Sequence, residues 1–225
     1  MSAIQSLIYG TKSLHENSFG RVLNRCSKWL AGLYFDVVMG QYTTDGMIFD
    51  IPRHQTTREM RGKFAVDTYE LPERRLVKKH LPSSAAVLEM GGCIGVVSCT
   101  VNKILDNPKN HVVLEANPGL IPVIERNRAT NQCAFTIRNN VISTSPSVKI
   151  GTGRVMDSNM LAGLSSEEGE TVDVESTSIA RLQQEMGCVF DAIVMDIEGA
   201  EYAFLKENQG LLPQFTSIMV EMHPH

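Results

Sequence analysis

Hydrophobic positions along the chain fall into short blocks and longer periodic stretches, and their order predicts the architecture. Four apolar runs, AAVLEM (85–90), HVVLEA (111–116), FDAIVMDI (190–197) and SIMVEM (217–222), are too short for helices and do not alternate with polar residues. Such runs predict strands of a parallel sheet covered on both faces. Between the first two lies IGVVSCTVNKILDNP, which has helix length and closes on an Asn-Pro turn. After the second comes NPGLIPVIERNRATNQ, where Leu120, Ile121 and Ile124 share a helical face and Pro122 falls in the first turn. CAFTIRNN (133–140) predicts a third strand, which completes the strand–helix alternation of a doubly wound, mostly parallel α/β sheet. Residues 147–177 predict short strands joined by a mobile acidic loop around 165–170, and SIARLQQEM (178–186) predicts the crossover helix into the strand at 190.

The N-terminal zone reads differently. Residues 4–40 have helical apolar spacing, GMIFDIP (46–52) predicts one strand, and ELPERRLVKKHL predicts a helix with Pro72 in its first turn. The expected organisation is an extension over residues 1–65 and an α/β domain over 66–225. VLNRCSKWLAGLYFDVVMG (22–40) reads as a packed helix or a dimer contact, with a membrane-surface helix as the alternative. A homodimer is therefore among the expectations.

Composition narrows the partners more than the fold. A 43% hydrophobic, 20% charged chain of 225 residues builds a core of ordinary size. Its net charge of −4 gives no electrostatic case for a nucleic acid. RRLVKK (Arg74 to Lys79) reads as one solvated helix face. The five cysteines are odd in number and lack CxxC spacing, so neither a disulfide framework nor a zinc site is expected. The N-terminal residues lack the pattern of a signal peptide, and no run approaches the roughly 18 apolar residues of a membrane span. The expected compartment is the reducing cytoplasm.

Candidate chemistry gathers at the ends of the predicted strands. VLEMGGCIGVVS places Glu89 near a strand end ahead of a glycine turn. A dinucleotide fingerprint needs G-x-G-x-x-G, and counting from Gly91 the other two places are taken by Cys93 and Val96. The pattern present is Glu89-x-Gly91-x-x-x-Gly95, in which glycine permits close approach to the backbone. An acid there would repel a pyrophosphate but suits a ligand with an ammonium group and no phosphate, such as S-adenosylmethionine. Glu115 ends the next strand, where nucleoside-binding α/β domains hold both ribose hydroxyls; a solvated acid or a helix N-terminal charge is the plainer reading. VMDIEGAEYAFL sets Asp196 and Glu198 at the tip of a buried strand, with Gly199 for the turn and Glu201 opening a helix. Capping and dipole compensation are the simpler account of such acids. VEMHPH adds Glu221 and His223 at the last strand tip.

Together, VLEMGGCIG, VVLEANP, VMDIEGAE and VEMHP resemble the FkbM family of S-adenosylmethionine-dependent methyltransferases, over about residues 66–224 including Tyr69 and Glu70. The resemblance implies a class I, Rossmann-like fold and methylation of a hydroxyl on a sugar or macrolide-type product. It makes Glu89, Gly91 and Gly95 the methionine-side pocket and Glu115 the ribose clamp. Asn117 and Asn140 become polar contacts to ribose or adenine, and Asp196, Glu198 and His223 face the methyl group and the acceptor. His223, with Glu221 or Asp196 orienting it, is the expected base. No metal is assigned, although an alternative has the acids hold a divalent ion that acidifies the acceptor.

Three departures stand against the family pattern. Gly92-Cys93 replaces Ala-Asn in the turn, and SIARL replaces a Leu-Asp pair. The sequence also ends at the fifth strand, where class I methyltransferases continue into an antiparallel pair. The N-terminal zone or a second subunit is expected to cover that edge, unless the last strands are lacking. Two other functions compete: a non-catalytic S-adenosylmethionine-binding scaffold, and a nicotinamide oxidoreductase, which the missing glycines disfavour.

Overall fold

The computed structural model describes residues 18–151 and 171–223, with residues 18–25 by backbone alone. The helical spacing expected over 4–17 and the acidic loop expected near 165–170 lie outside the described residues. Two compact units divide at Leu71.

In the first unit, helix α1 (Ser18–Tyr34) runs on into a π-helical turn, Phe35–Met39, that stops at Gly40 with φ of 67°. A hairpin of β1 (Tyr42–Thr44) and β2 (Met47–Phe49) follows, turning at Asp45 and Gly46, both at positive φ. Only the second of these strands is expected from the sequence. The Asp-Gly pair supplies the left-handed residues that a two-residue hairpin needs. Helix α2 (Arg58–Ala65) starts at Thr57, whose hydroxyl accepts from the Met60 N–H at 3.2 Å. It too is absent from the sequence expectations; Asp36 holds its Arg61, and Met60 and Phe64 are buried beside it. The Asp36 carboxylate grips the buried Arg61 through Nε (2.6 Å) and Nη2 (3.0 Å). Phe35, Tyr42, Phe49, Phe64 and Tyr69 fill the core of this unit.

The second unit opens with α3 (Leu71–His80). Five parallel strands form its sheet: β3 (Val87–Met90), β4 (His111–Leu114), β5 (Thr136–Arg138), β9 (Ala192–Met195) and β10 (Ser217–Val220), in the spatial order β10-β9-β3-β4-β5. Helix α4 (Val96–Ile104) joins β3 to β4, and α5 (Ile121–Thr130) joins β4 to β5. A smaller sheet, β6 (Val141–Ile142), β8 (Thr171–Thr177) and β7 (Ser147–Gly151), precedes α6 (Ile179–Met186) and β9. Helix α7 (Glu201–Glu207) lies between β9 and β10.

Every residue of β3, β4 and β9 is buried, as unbroken apolar runs require. Alternation along these strands sorts the core into two layers. Leu88, Met90, Leu114, Ile193 and Met195 pack with Ile179 and Leu182 of α6 and Phe204 of α7. Val87, Ala192, Val194 and Met219 pack with Val77 of α3 and Val101 of α4. The chain grows from β3 through β4 to β5 on one side, then returns to β9 and β10 on the other. The carboxyl ends of β3 and β9 are where that direction reverses, the usual ligand crevice of open α/β sheets. No described helix is long and apolar enough to cross a membrane.

Candidate active site

The glycine turn is built by close approach. Gly91 sits at φ of 90°, and a Cβ there would fall 1.7 Å from the Asp196 carbonyl oxygen. Gly92 has Val113 Cγ1 at 2.6 Å from the same hypothetical position, and Gly95, at φ of 83°, starts α4. Cys93 takes a left-handed φ of 47°, unusual for a residue with a side chain. The N–H groups of Gly91 and Gly92 both donate to the Leu114 carbonyl, at 2.9 and 3.1 Å. The turn is thereby tied to the end of β4.

Glu115 tightens that tie. Its Oε2 accepts from the Cys93 N–H and its Oε1 from the Asn117 N–H, each at 2.7 Å. The residue is buried, and burial pushes its carboxyl up to about 7 against the pull of those N–H groups. An ionised carboxylate has about four lone-pair sites, and backbone N–H groups take at least two of them here. Asn117 is buried as well, its Oδ1 accepting from the Gly119 N–H at 2.9 Å. Asn140 donates through Nδ2 to the Glu175 carbonyl at 3.0 Å and lines a polar cleft with Arg138, Thr177, Arg181 and Glu185.

Glu89 lies beneath the turn. It points to the α4 side of the sheet, where the Ser98 hydroxyl donates to its Oε1 and His111 Nε2 stands 3.0 Å from its Oε2. The backbone N–H of Ala134 donates to Asn102 Oδ1, so Asn102 Nδ2 faces His111 Nδ1 as a donor at 3.4 Å. Nδ1 is then the acceptor and Nε2 carries the hydrogen given to Glu89. Sequence reading missed Ser98, Asn102 and His111. The register that pairs Val87 with His111 puts Glu89 and His111 on one face, and that pairing is set by strands 24 residues apart. The isolated His at the head of an apolar run was the available signal.

The remaining candidates converge on His223. Its Nδ1 lies 3.1 Å from Glu201 Oε1 and 3.8 Å from Asp196 Oδ1, while Nε2 lies 3.5 Å from Glu198 Oε2 and 3.9 Å from Glu221 Oε1. Glu201, with a side chain 1% exposed, also accepts from the Ile197 N–H (3.1 Å) and the Gly199 N–H (3.0 Å). It clamps a loop in which Glu198 and Gly199 both have positive φ. Burial raises the Asp196 carboxyl, the Glu221 and Glu198 charges add to the rise, and it reaches about 7 despite His223. Burial works to lower the His223 pKa, but the hydrogen bond to Glu201 and the surrounding carboxylates outweigh it and the net shift is upward. Glu201 is pushed up by burial and brought down further by backbone N–H groups and His223. The surroundings of His223 thus favour its charged form, while the Asp196 carboxyl is raised to about 7.

One row of strand ends carries these groups: Glu115 on β4, the glycine turn on β3, Asp196 on β9, and Glu221 and His223 on β10. A family model described as the methyltransferase FkbM domain matches residues 89–225, more than half of the chain. The chain belongs to the FkbM methyltransferase family. No curated protein and no solved structure matched it. The FkbM match opens at Glu89 itself and takes in every residue of the row.

Proposed function

We propose that the chain is an S-adenosylmethionine-dependent O-methyltransferase acting on a hydroxyl of a sugar or small natural product, in the cytoplasm. The observation that supports this reading is the close approach of the Gly91 turn to the Asp196 carbonyl, which puts the glycine turn beside the acidic cluster. The strand order and the two packed faces support a doubly wound, Rossmann-like arrangement.

The donor set suits the cofactor. Glu115 offers its remaining acceptor capacity to ribose, with Asn117 and Asn140 as polar contacts. The turn at Gly91 and Gly95, underpinned by Glu89, is where the methionine portion would lie. When bound, S-adenosylmethionine supplies a methyl group already activated by its sulfonium. The protein's share is to align the acceptor, which proximity rewards, and to remove the hydroxyl proton, typically worth about 10²–10⁴-fold. Asp196, Glu198 and His223 form the group that takes that proton. A net-negative chain disfavours a polyanionic acceptor.

The test is transfer of label from methyl-tritiated S-adenosylmethionine to a panel of glycosides and polyols. Label in an ether product, lost in Asp196→Asn, supports the reading. Cofactor binding with no transfer to any hydroxyl acceptor would leave a non-catalytic binding domain instead.

A further inference from the structure

Asp196, Glu221 and His223 each offer one ligand atom, and these atoms lie within 4.8 Å of one another. Six ligands about 2.1 Å from an ion stand at most about 4.2 Å apart, so a small closure brings the three onto one centre. Two further observations point to a missing partner. Asp196 Oδ1 is buried with no hydrogen-bond partner, and so is Oε2 of Glu201, whose other oxygen touches His223. Buried carboxylate oxygens are normally satisfied, and each orphan calls for a proton or an ion. Among the described residues, the ion pairs of these four carboxylates run to His223 alone. The cluster thus sets four carboxyl groups around one imidazole.

We propose that this cluster is a divalent cation site of the Mn²⁺ or Mg²⁺ type, with Asp196, Glu221 and His223 Nε2 as its protein ligands. His223 Nδ1–H donates to Glu201 Oε1, the carboxylate–histidine arrangement that fixes tautomer and ring orientation in metal sites. Glu201 is therefore a positioning residue, itself anchored by the Ile197 and Gly199 N–H groups. Two carboxylates and one imidazole, with positions left open, suit a six-coordinate ion that keeps several waters. The cysteines take no part. The role of the ion rests on the methyltransferase reading, but its binding does not. A hydroxyl coordinated at an open position gives up its proton more readily. That proton passes to Glu198, whose side chain is 41% exposed, and from there to water.

The experiment titrates the full chain with Mn²⁺, following loss of the free-ion electron paramagnetic resonance signal. One ion per chain is expected, with Asp196→Asn and Glu221→Gln each weakening binding at least tenfold. Pulsed resonance of the unmodified protein should show one coupled imidazole nitrogen, a readout that needs no variant to fold. Failure to bind at millimolar Mn²⁺, absence of the imidazole coupling, or unchanged affinity in both variants would overturn the site. S-adenosylhomocysteine affinity measured on the same samples keeps the two readings apart. Its loss counts against the methyltransferase reading, while its retention without Mn²⁺ binding counts against the ion alone.

Discussion

Replacing Gly91 with alanine probes the join between the glycine turn and the acidic cluster. An added Cβ would sit 1.7 Å from the Asp196 carbonyl oxygen, half the 3.4 Å at which ordinary contact begins. The strand ends must part to admit it, which strains the bond from the Asp196 N–H to the Met90 carbonyl (3.0 Å) and that from the Gly91 N–H to Leu114 (2.9 Å). Left-handed backbone costs a side-chain-bearing residue about 1–2 kcal/mol. Overpacking adds about 1–3 kcal/mol, and one weakened hydrogen bond adds about 1 kcal/mol. The total of roughly 3–6 kcal/mol corresponds to a fall in Tm of roughly 6–24 °C for a unit of this size. Gly187→Ala is the control. Gly187 has φ of 65° with nothing within 4 Å of its would-be Cβ, so only the backbone cost of about 1–2 kcal/mol applies. Thermal melting by circular dichroism compares the two variants, and S-adenosylhomocysteine affinity should fall in Gly91→Ala alone. Equal melting temperatures would refute the close approach of β3 and β9, and with it the placement of Asp196 beside the turn.

If Glu115 holds ribose as proposed, Glu115→Ala, which also orphans the Cys93 and Asn117 N–H groups, should weaken S-adenosylhomocysteine binding by roughly 1.5–3 kcal/mol in calorimetry. Normal binding would restrict Glu115 to holding the turn. Burial raises the folded-state pKa of Glu115 from 4.5 to about 7, so its contribution to stability is full below pH 4.5 and is lost as pH rises through 7. The advantage of the wild type over Glu115→Gln should accordingly shrink between pH 4.5 and 8, by at most about 3 kcal/mol. Denaturant melts at the two ends of that range that give the same difference would contradict the raised value. Thiol titration of the unfolded protein without reductant should find all five cysteines reactive, and a stoichiometric disulfide would be the contrary result.

What the sequence made legible follows from how each feature is held. β3, β4 and β9 were readable because burial on both faces leaves an unbroken apolar run, and the acids just beyond those runs marked the strand tips. α2 was not readable, since its short polar sequence REMRGKFA buries Arg61 against Asp36, 25 positions away, beside only two large apolar residues, Met60 and Phe64. The same holds within the site. Glu115 could be placed at a strand tip, but its burial and its two backbone N–H bonds depend on where the turn folds back. The convergence of Glu201 on His223 spans 22 positions and arises only when β9 and β10 pair in register. Glu89 could be seen ahead of the turn, whereas its partners His111 and Ser98 come from a neighbouring strand and the following helix.

Isothermal titration of the full chain with S-adenosylhomocysteine and, separately, with NAD⁺ and NADH decides whether the crevice takes a phosphate-free nucleoside. One S-adenosylhomocysteine should bind per chain, with no measurable heat from either nicotinamide cofactor. Tighter binding of a nicotinamide cofactor would contradict this reading of the crevice.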